Sequence, residues 1–236
     1  MVREHHRWQS PALGRPMDLL WFGKWGRPIL AFPTSLGGCT QNEDMGLIEA
    51  LRPKIDGGEV QVCCVDAIDE EAWYNERAPG EWKLRRYRQF ERYLTDEVLP
   101  LIRIKAERED LILFGASFGA YHAMTFAFRH PERASRVVAF SGLFEIERFL
   151  SGWWSDDCYF LSPAACAPNF HTQDADRLRH IGFVVATGEH DHLANHNRWF
   201  AEVLREKGLN VHAEIWPGVF GHDWPFWARH LPRFVP

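Results

Sequence analysis

Short apolar, β-branched runs recur along the chain, separated by stretches whose apolar positions repeat at helical spacing. Arg27–Phe32, Glu59–Val65, Asp110–Phe114, Arg136–Phe140, Ile181–Thr187 and Val211–Trp216 read as strands. Asp110–Phe114 is almost unbroken in its apolar character, as a strand buried on both faces should be. Helices are predicted at Asp44–Leu51, Leu84–Ile104, Phe118–His130 and Asn195–Lys207, with a short one at Trp224–His230. In the longest, Leu84, Tyr87, Phe90, Leu94, Val98 and Leu101 form one stripe, and Pro100 predicts a kink. Ahead of this alternation, His6–Ser10 and Met17–Phe22 read as two strands joined through the turn region Pro11–Pro16. Residues 143–180 keep no period, are rich in aromatics and proline, and read as a short lid-like excursion built of short helices. The whole predicts one α/β domain over 1–236: a mainly parallel central sheet, helices on both faces and an antiparallel N-terminal edge.

Composition narrows the partners more than the fold. The 236 residues are 46% hydrophobic, enough to fill a sizeable core without staples. A net charge of -5 argues against nucleic acid as the main partner, and Arg85, Arg86 and Arg88 read as the solvated face of a helix. No apolar run approaches a bilayer span, and no apolar segment follows the charged start Met1–His6, so a membrane role is not expected. Five cysteines, two of them adjacent (Cys63, Cys64), lack disulfide or zinc spacing; free thiols and a cytoplasmic location are the expectation. Oligomeric state is left open. Eleven tryptophans suit a packed core and an apolar cleft.

The chemistry begins at Gly115-Ala116-Ser117-Phe118-Gly119, a GxSxG pattern. The pattern alone arises by chance in roughly one chain in twelve of this length. Its context is more telling: the strand Leu111–Phe114 enters it and a helix leaves it, the setting of a nucleophile elbow. There the small residues Gly115 and Gly119 permit a tight turn, Ser117 is lifted above the sheet, and the Phe118 N–H can face an oxyanion.

A serine nucleophile needs a base and an acid, which in this kind of sheet follow in the order Ser, acid, His. Gly188-Glu189-His190-Asp191 follows the strand ending at Thr187 and offers Asp191, with Glu189 and Asp66 as alternates. Gly218-Val219-Phe220-Gly221-His222 follows the last strand and offers His222. Among the twelve histidines, His212 lies in a strand, His230 in the terminal helix and His122 in the helix after the elbow, where packing is the expected role. His192 and His196 have a metal-like i, i+4 spacing beside Glu189, His190 and Asp191, yet no HExxH accompanies them, and no metal is expected.

The second oxyanion donor is expected from the loop after the third strand, Phe32-Pro33-Thr34-Ser35-Leu36-Gly37-Gly38. Side-by-side comparison of such loops puts the donor N–H on Leu36, with Ser35 as alternate. With these motifs the chain resembles the esterase D-like esterases of the α/β-hydrolase superfamily, from the Phe32-Pro33-Thr34 loop to Gly221-His222-Asp223-Trp224. The resemblance implies an α/β-hydrolase fold, a Ser117–Asp191–His222 triad, amide donors on Leu36 and Phe118, and hydrolysis of a small-molecule carboxylic ester or thioester without a cofactor. Thr34-Ser35 in place of His-Gly and the short excursion depart from the family pattern. Acyl transfer by the same triad, or a binding protein that lost the chemistry, are the alternatives. Trp153, Trp154 and Trp224 are expected to contact substrate, with Trp73, Tyr159, Phe160 and Cys39 as further wall.

Overall fold

Along the central strands successive side chains are all buried, because each strand is sandwiched between two helical layers. The computed structural model describes residues 1–236. Its strands are β1 (Arg3–Ser10), β2 (Arg15–Phe22), β3 (Arg27–Ala31), β4 (Val60–Val65), β5 (Leu111–Ala116), β6 (Ala134–Phe140), β7 (Gly182–Gly188) and β8 (Asn210–Trp216). They form one sheet in the order β1-β2-β4-β3-β5-β6-β7-β8. From β3 to β8 all pairings are parallel, while β1 pairs antiparallel with β2 and β2 with β4. The expected antiparallel N-terminal edge is thus present. β1 begins three residues earlier than predicted, since its first half, Arg3-Glu4-His5, is polar. Charge on an edge strand also discourages pairing with a second chain.

The helices are α1 (Gln41–Asp44), α2 (Leu47–Asp56), α3 (Gly80–Tyr93), α4 (Leu99–Ala106), α5 (Phe118–Arg129), α6 (Asp156–Phe160), α7 (Pro163–Cys166), α8 (Thr172–Leu178), α9 (Ala194–Glu206) and α10 (Trp224–His230). None is long and apolar enough to cross a membrane. One sheet face sends Leu30, Cys63, Leu113, Val137 and Val185 against Tyr87 and Phe90 of α3, Tyr121 and Met124 of α5, and Phe200 and Leu204 of α9. The other face sends Ile29, Val62, Ile112, Val138 and Val184 against Leu47, Leu51 and Ile55 of α2 and Trp227 of α10.

Three local expectations need correction. The predicted helix Asp44–Leu51 is two pieces, parted at Gly46 with φ 82°, and α2 runs on through Pro53 because Ile55 is buried beneath it. The long helix is broken by a π-helical turn over Leu94–Val98, just ahead of Pro100. Pro100 has no N–H and its ring crowds the carbonyl four residues back, so widening the turn relieves both problems. Arg86 is buried rather than solvated, binding Glu71 and the Leu13 carbonyl. Residues 143–180 do form short helices, tied back to α3 by Lys83, whose ammonium donates to the Phe149 carbonyl at 2.6 Å.

Candidate active site

The turn between β5 and α5 holds Ser117 at φ 54°, ψ -119°, a conformation a non-glycine residue rarely adopts. Backbone bonds fix it there: Ser117 N–H donates to the Phe140 carbonyl at 2.8 Å, and Leu143 N–H to the Ser117 carbonyl at 3.2 Å. The flanking glycines are required by close approach. A Cβ on Gly115 would collide with the Gly119 carbonyl, and one on Gly119 would lie 2.5 Å from the Pro33 carbonyl. The second collision is informative, because it shows the β3 loop pressed against the elbow. Phe118, first residue of α5, has an N–H with no acceptor one turn back.

Asp191 and His222 meet where the loops after β7 and β8 touch. His190 N–H donates to the Val219 carbonyl at 3.0 Å, and a Cβ on Gly188 would strike the Phe220 carbonyl. Gly221 at φ 71° turns the chain so that His222 faces back. His222 Nδ1 lies 3.0 and 3.1 Å from the two Asp191 oxygens. Thr187 Oγ1 donates to Asp191 at 2.6 Å, and the Leu193 N–H at 2.8 Å. Burial of the Asp191 carboxyl would raise its pKa, but hydrogen bonds from His222, the Leu193 amide and Thr187 hold it well below the usual carboxylate range. Behind Thr187, Ser141 Oγ accepts from Trp227 Nε1 at 3.1 Å and donates to the Gly221 carbonyl at 2.9 Å, bracing the histidine loop. The alternates are otherwise employed: Glu189 accepts from the Gly218 N–H, and Asp66 from the Cys39 N–H. No hydrogen bond joins Ser117 to His222; such contacts commonly tighten only around substrate.

The Leu36 N–H, the expected second oxyanion donor, donates to the buried carboxyl of Asp69 at 3.0 Å. The neighbouring amides are also engaged, Thr34 by Gln41 Oε1 at 2.8 Å and Gly37 by the Thr34 carbonyl at 3.0 Å. Ser35 alone of residues 34–37 keeps an uncommitted N–H, and its hydroxyl is held by Tyr74 at 2.7 Å. Tyr74 in turn packs on Phe149, at 4.7 Å between ring centroids, and Phe149 on Phe118 at 5.4 Å. Tyr74 and Phe149 therefore wall the space beside the loop, a role the aperiodic sequence around them did not signal.

The tryptophans expected at substrate have different surroundings. Trp153 lies against Gly80 at the start of α3, Trp154 is exposed, and Trp224 packs on Trp227. Trp73 is wholly buried between Tyr87 and Tyr121, and Cys39 is buried as well. Tyr159 and Phe160 line a cleft of about 550 Å³ shared with Phe170 and His171, and that cleft does not include Ser117. Nor does the cleft of about 530 Å³ between α4 and the start of β5. His192 and His196 do not converge: His196 Nε2 accepts from the Phe144 N–H at 3.2 Å, while His192 leans on Asp191 at 3.3 Å. The ligand atoms that do gather, within 4.8 Å, are those of Asp191, His192 and His222, so a metal held there would sequester the acid and the base.

Many solved structures share this fold. A ferulic acid esterase superposes with a TM-score of 0.80 at 18% identity, covering 100% of this chain and 96% of its own. An S-formylglutathione hydrolase from Agrobacterium tumefaciens gives 0.71 at 18%, covering 99% and 95%. A fluorophosphonate-binding serine hydrolase from Staphylococcus aureus gives 0.69 at 19%, covering 98% and 96%. These likenesses define an α/β-hydrolase fold. No curated protein sequence matches the chain. The family model described as "Putative esterase" matches residues 51–236, most of the chain, and the chain belongs to that family of carboxylic ester hydrolases.

Proposed function

We propose that the chain is a serine esterase working through an acyl-enzyme on Ser117. The observation that carries this reading is the buried Asp191 carboxylate bonded to His222, taken together with a serine held at φ 54° in the turn between β5 and α5. Ser117 Oγ attacks the ester carbonyl while His222 Nε2 takes its proton. Asp191 keeps the other proton on Nδ1 and offsets the imidazolium charge. The oxyanion is met by the N–H groups of Phe118 and Ser35, the latter replacing Leu36 because the Leu36 amide is already committed. Collapse expels the alcohol or thiol, protonated by His222. Water then attacks the acyl carbon, giving its proton to His222, and the acid leaves as Ser117 recovers its hydrogen.

Tyr74 and Phe149 beside the loop suit an uncharged, apolar or aromatic acyl group. Because similar structures are a ferulic acid esterase and an S-formylglutathione hydrolase, feruloyl esters and S-formylglutathione head the substrate screen. Five free cysteines support a reducing compartment. Replacing Ser117 by Ala should cut p-nitrophenyl acetate turnover by about a thousand-fold or more and abolish labelling by a fluorophosphonate probe. A folded variant with undiminished turnover overturns the reading.

A further inference from the structure

A second acid–histidine pair lies beneath the oxyanion loop, and the triad makes no use of it. Asp69, on the loop after β4, and His122, in α5, have side chains only 2% exposed. His122 Nε2 lies 3.1 Å from Asp69 Oδ1, and Asp69 Oδ2 accepts the Leu36 N–H at 3.0 Å. The His122 ring packs edge-on against Phe118 at 4.9 Å between centroids and tilts against Phe32 at 5.7 Å. Its Nδ1 faces the Tyr87 hydroxyl at 3.5 Å. One buried pair thus touches both backbone segments that carry oxyanion donors, the loop from Phe32 to Leu36 and the elbow at Phe118. Burying two polar side chains in an aromatic core is unfavourable unless they are paired, and apolar residues would fill the same space without that demand. Leu36 also sits at φ 59°, a left-handed conformation that a leucine adopts only when something holds it.

We propose that Asp69, oriented by His122, is a positioning residue of the oxyanion hole. By taking the Leu36 N–H it fixes the peptide planes of the loop, leaving the Ser35 N–H as the one presented to the oxyanion. The kinetic part of this inference rests on the ester-hydrolase reading above; the structural part does not.

The test measures two things on the full chain. By residue-resolved amide hydrogen exchange, Leu36 should be protected and Ser35 should not; in Asp69→Ala the Leu36 amide should exchange about tenfold faster or more. With p-nitrophenyl acetate, Asp69→Ala should lower kcat roughly 100-fold with KM nearly unchanged, a split that general loosening of the fold would not give. Asp69→Asn, which keeps an acceptor for Leu36, should recover most of kcat. If Asp69→Ala does not fold, the double variant Asp69→Ala/His122→Phe, which leaves neither member of the pair buried without the other, takes its place with the same expectations. Wild-type kcat in a folded variant, or unchanged Leu36 exchange, overturns the proposal. A wild-type chain that turns over no ester defeats the hydrolase reading instead, and the exchange pattern still decides whether Asp69 holds the loop.

Discussion

Ser117 pays for its exposure with strain: a non-glycine residue held in such a conformation costs roughly 1–3 kcal/mol, persisting only because its surroundings over-determine it. The bonds to Phe140 and Leu143 supply that determination. Asp191 shows the same logic in electrostatic form. Its carboxyl titrates below the ordinary range, so its contribution to stability is complete above about pH 4, where unfolded aspartate ionises, and is lost as pH falls through the lower folded value. Asp191 therefore stays ionised through mildly acidic pH, and the acid limb of the kcat/KM profile should follow a single ionisation. A limb with the steeper slope of two coupled protons would contradict this. Asp191→Asn should lower kcat by about a thousand-fold or more while leaving the fold intact by circular dichroism. At this scale the strained turn at Ser117 and the meeting of Asp191 with His222 were legible, because the order of motifs along the chain points to them. The engagement of the Leu36 N–H was not legible, because it depends on Asp69, thirty-three residues away.

At the scale of elements, the site is an assembly of loop ends brought together by glycines. Gly119 lets α5 approach the β3 loop, and Gly188 lets the acid strand touch the histidine loop. An added methyl at Gly119 has no room, since the Pro33 carbonyl stands 2.5 Å from it. Gly119→Ala should destabilise the protein by about 1–3 kcal/mol, read as a lower Tm, and should displace the loop after β3, read as a fall in kcat larger than the change in KM. A variant with wild-type kcat would show that the loop tolerates the shift. The helix elements show where periodicity fails. The stripe from Leu84 to Leu101 is present in the sequence, but it could not show that the turn over Leu94–Val98 widens, since packing and Pro100 decide that jointly. Arg86 falls among arginines that look solvated and is drawn inward by Glu71, a partner on another segment.

For the whole molecule, the two faces of the sheet divide the labour. The α3, α5 and α9 face carries the aromatic core that supports the elbow from below, with Tyr87, Phe90 and Tyr121 gathered around His122. The α2 and α10 face braces the histidine loop through Trp227. All five cysteines are buried within or beside these layers. Burial pushes the Cys39 and Cys166 thiols up to about 12 and also raises those of Cys63 and Cys64. The native protein should accordingly react little with a thiol reagent at pH 8 and keep its ester turnover, whereas the denatured chain should expose five thiols. Rapid native labelling with loss of turnover would mean that a thiol is accessible near the site.

The sequence by itself determined the alternation of strands and helices, the antiparallel edge and the tight strand-to-helix turn at Ser117, because these depend on residue spacing along a local stretch of chain. Only the tertiary structure decided the strand order, the commitment of the Leu36 amide, the free amide of Ser35, the buried place of Trp73 and the pairing of Asp69 with His122. Each of those is set by groups distant in the chain competing for the same space or the same proton, and no local pattern records the outcome of that competition.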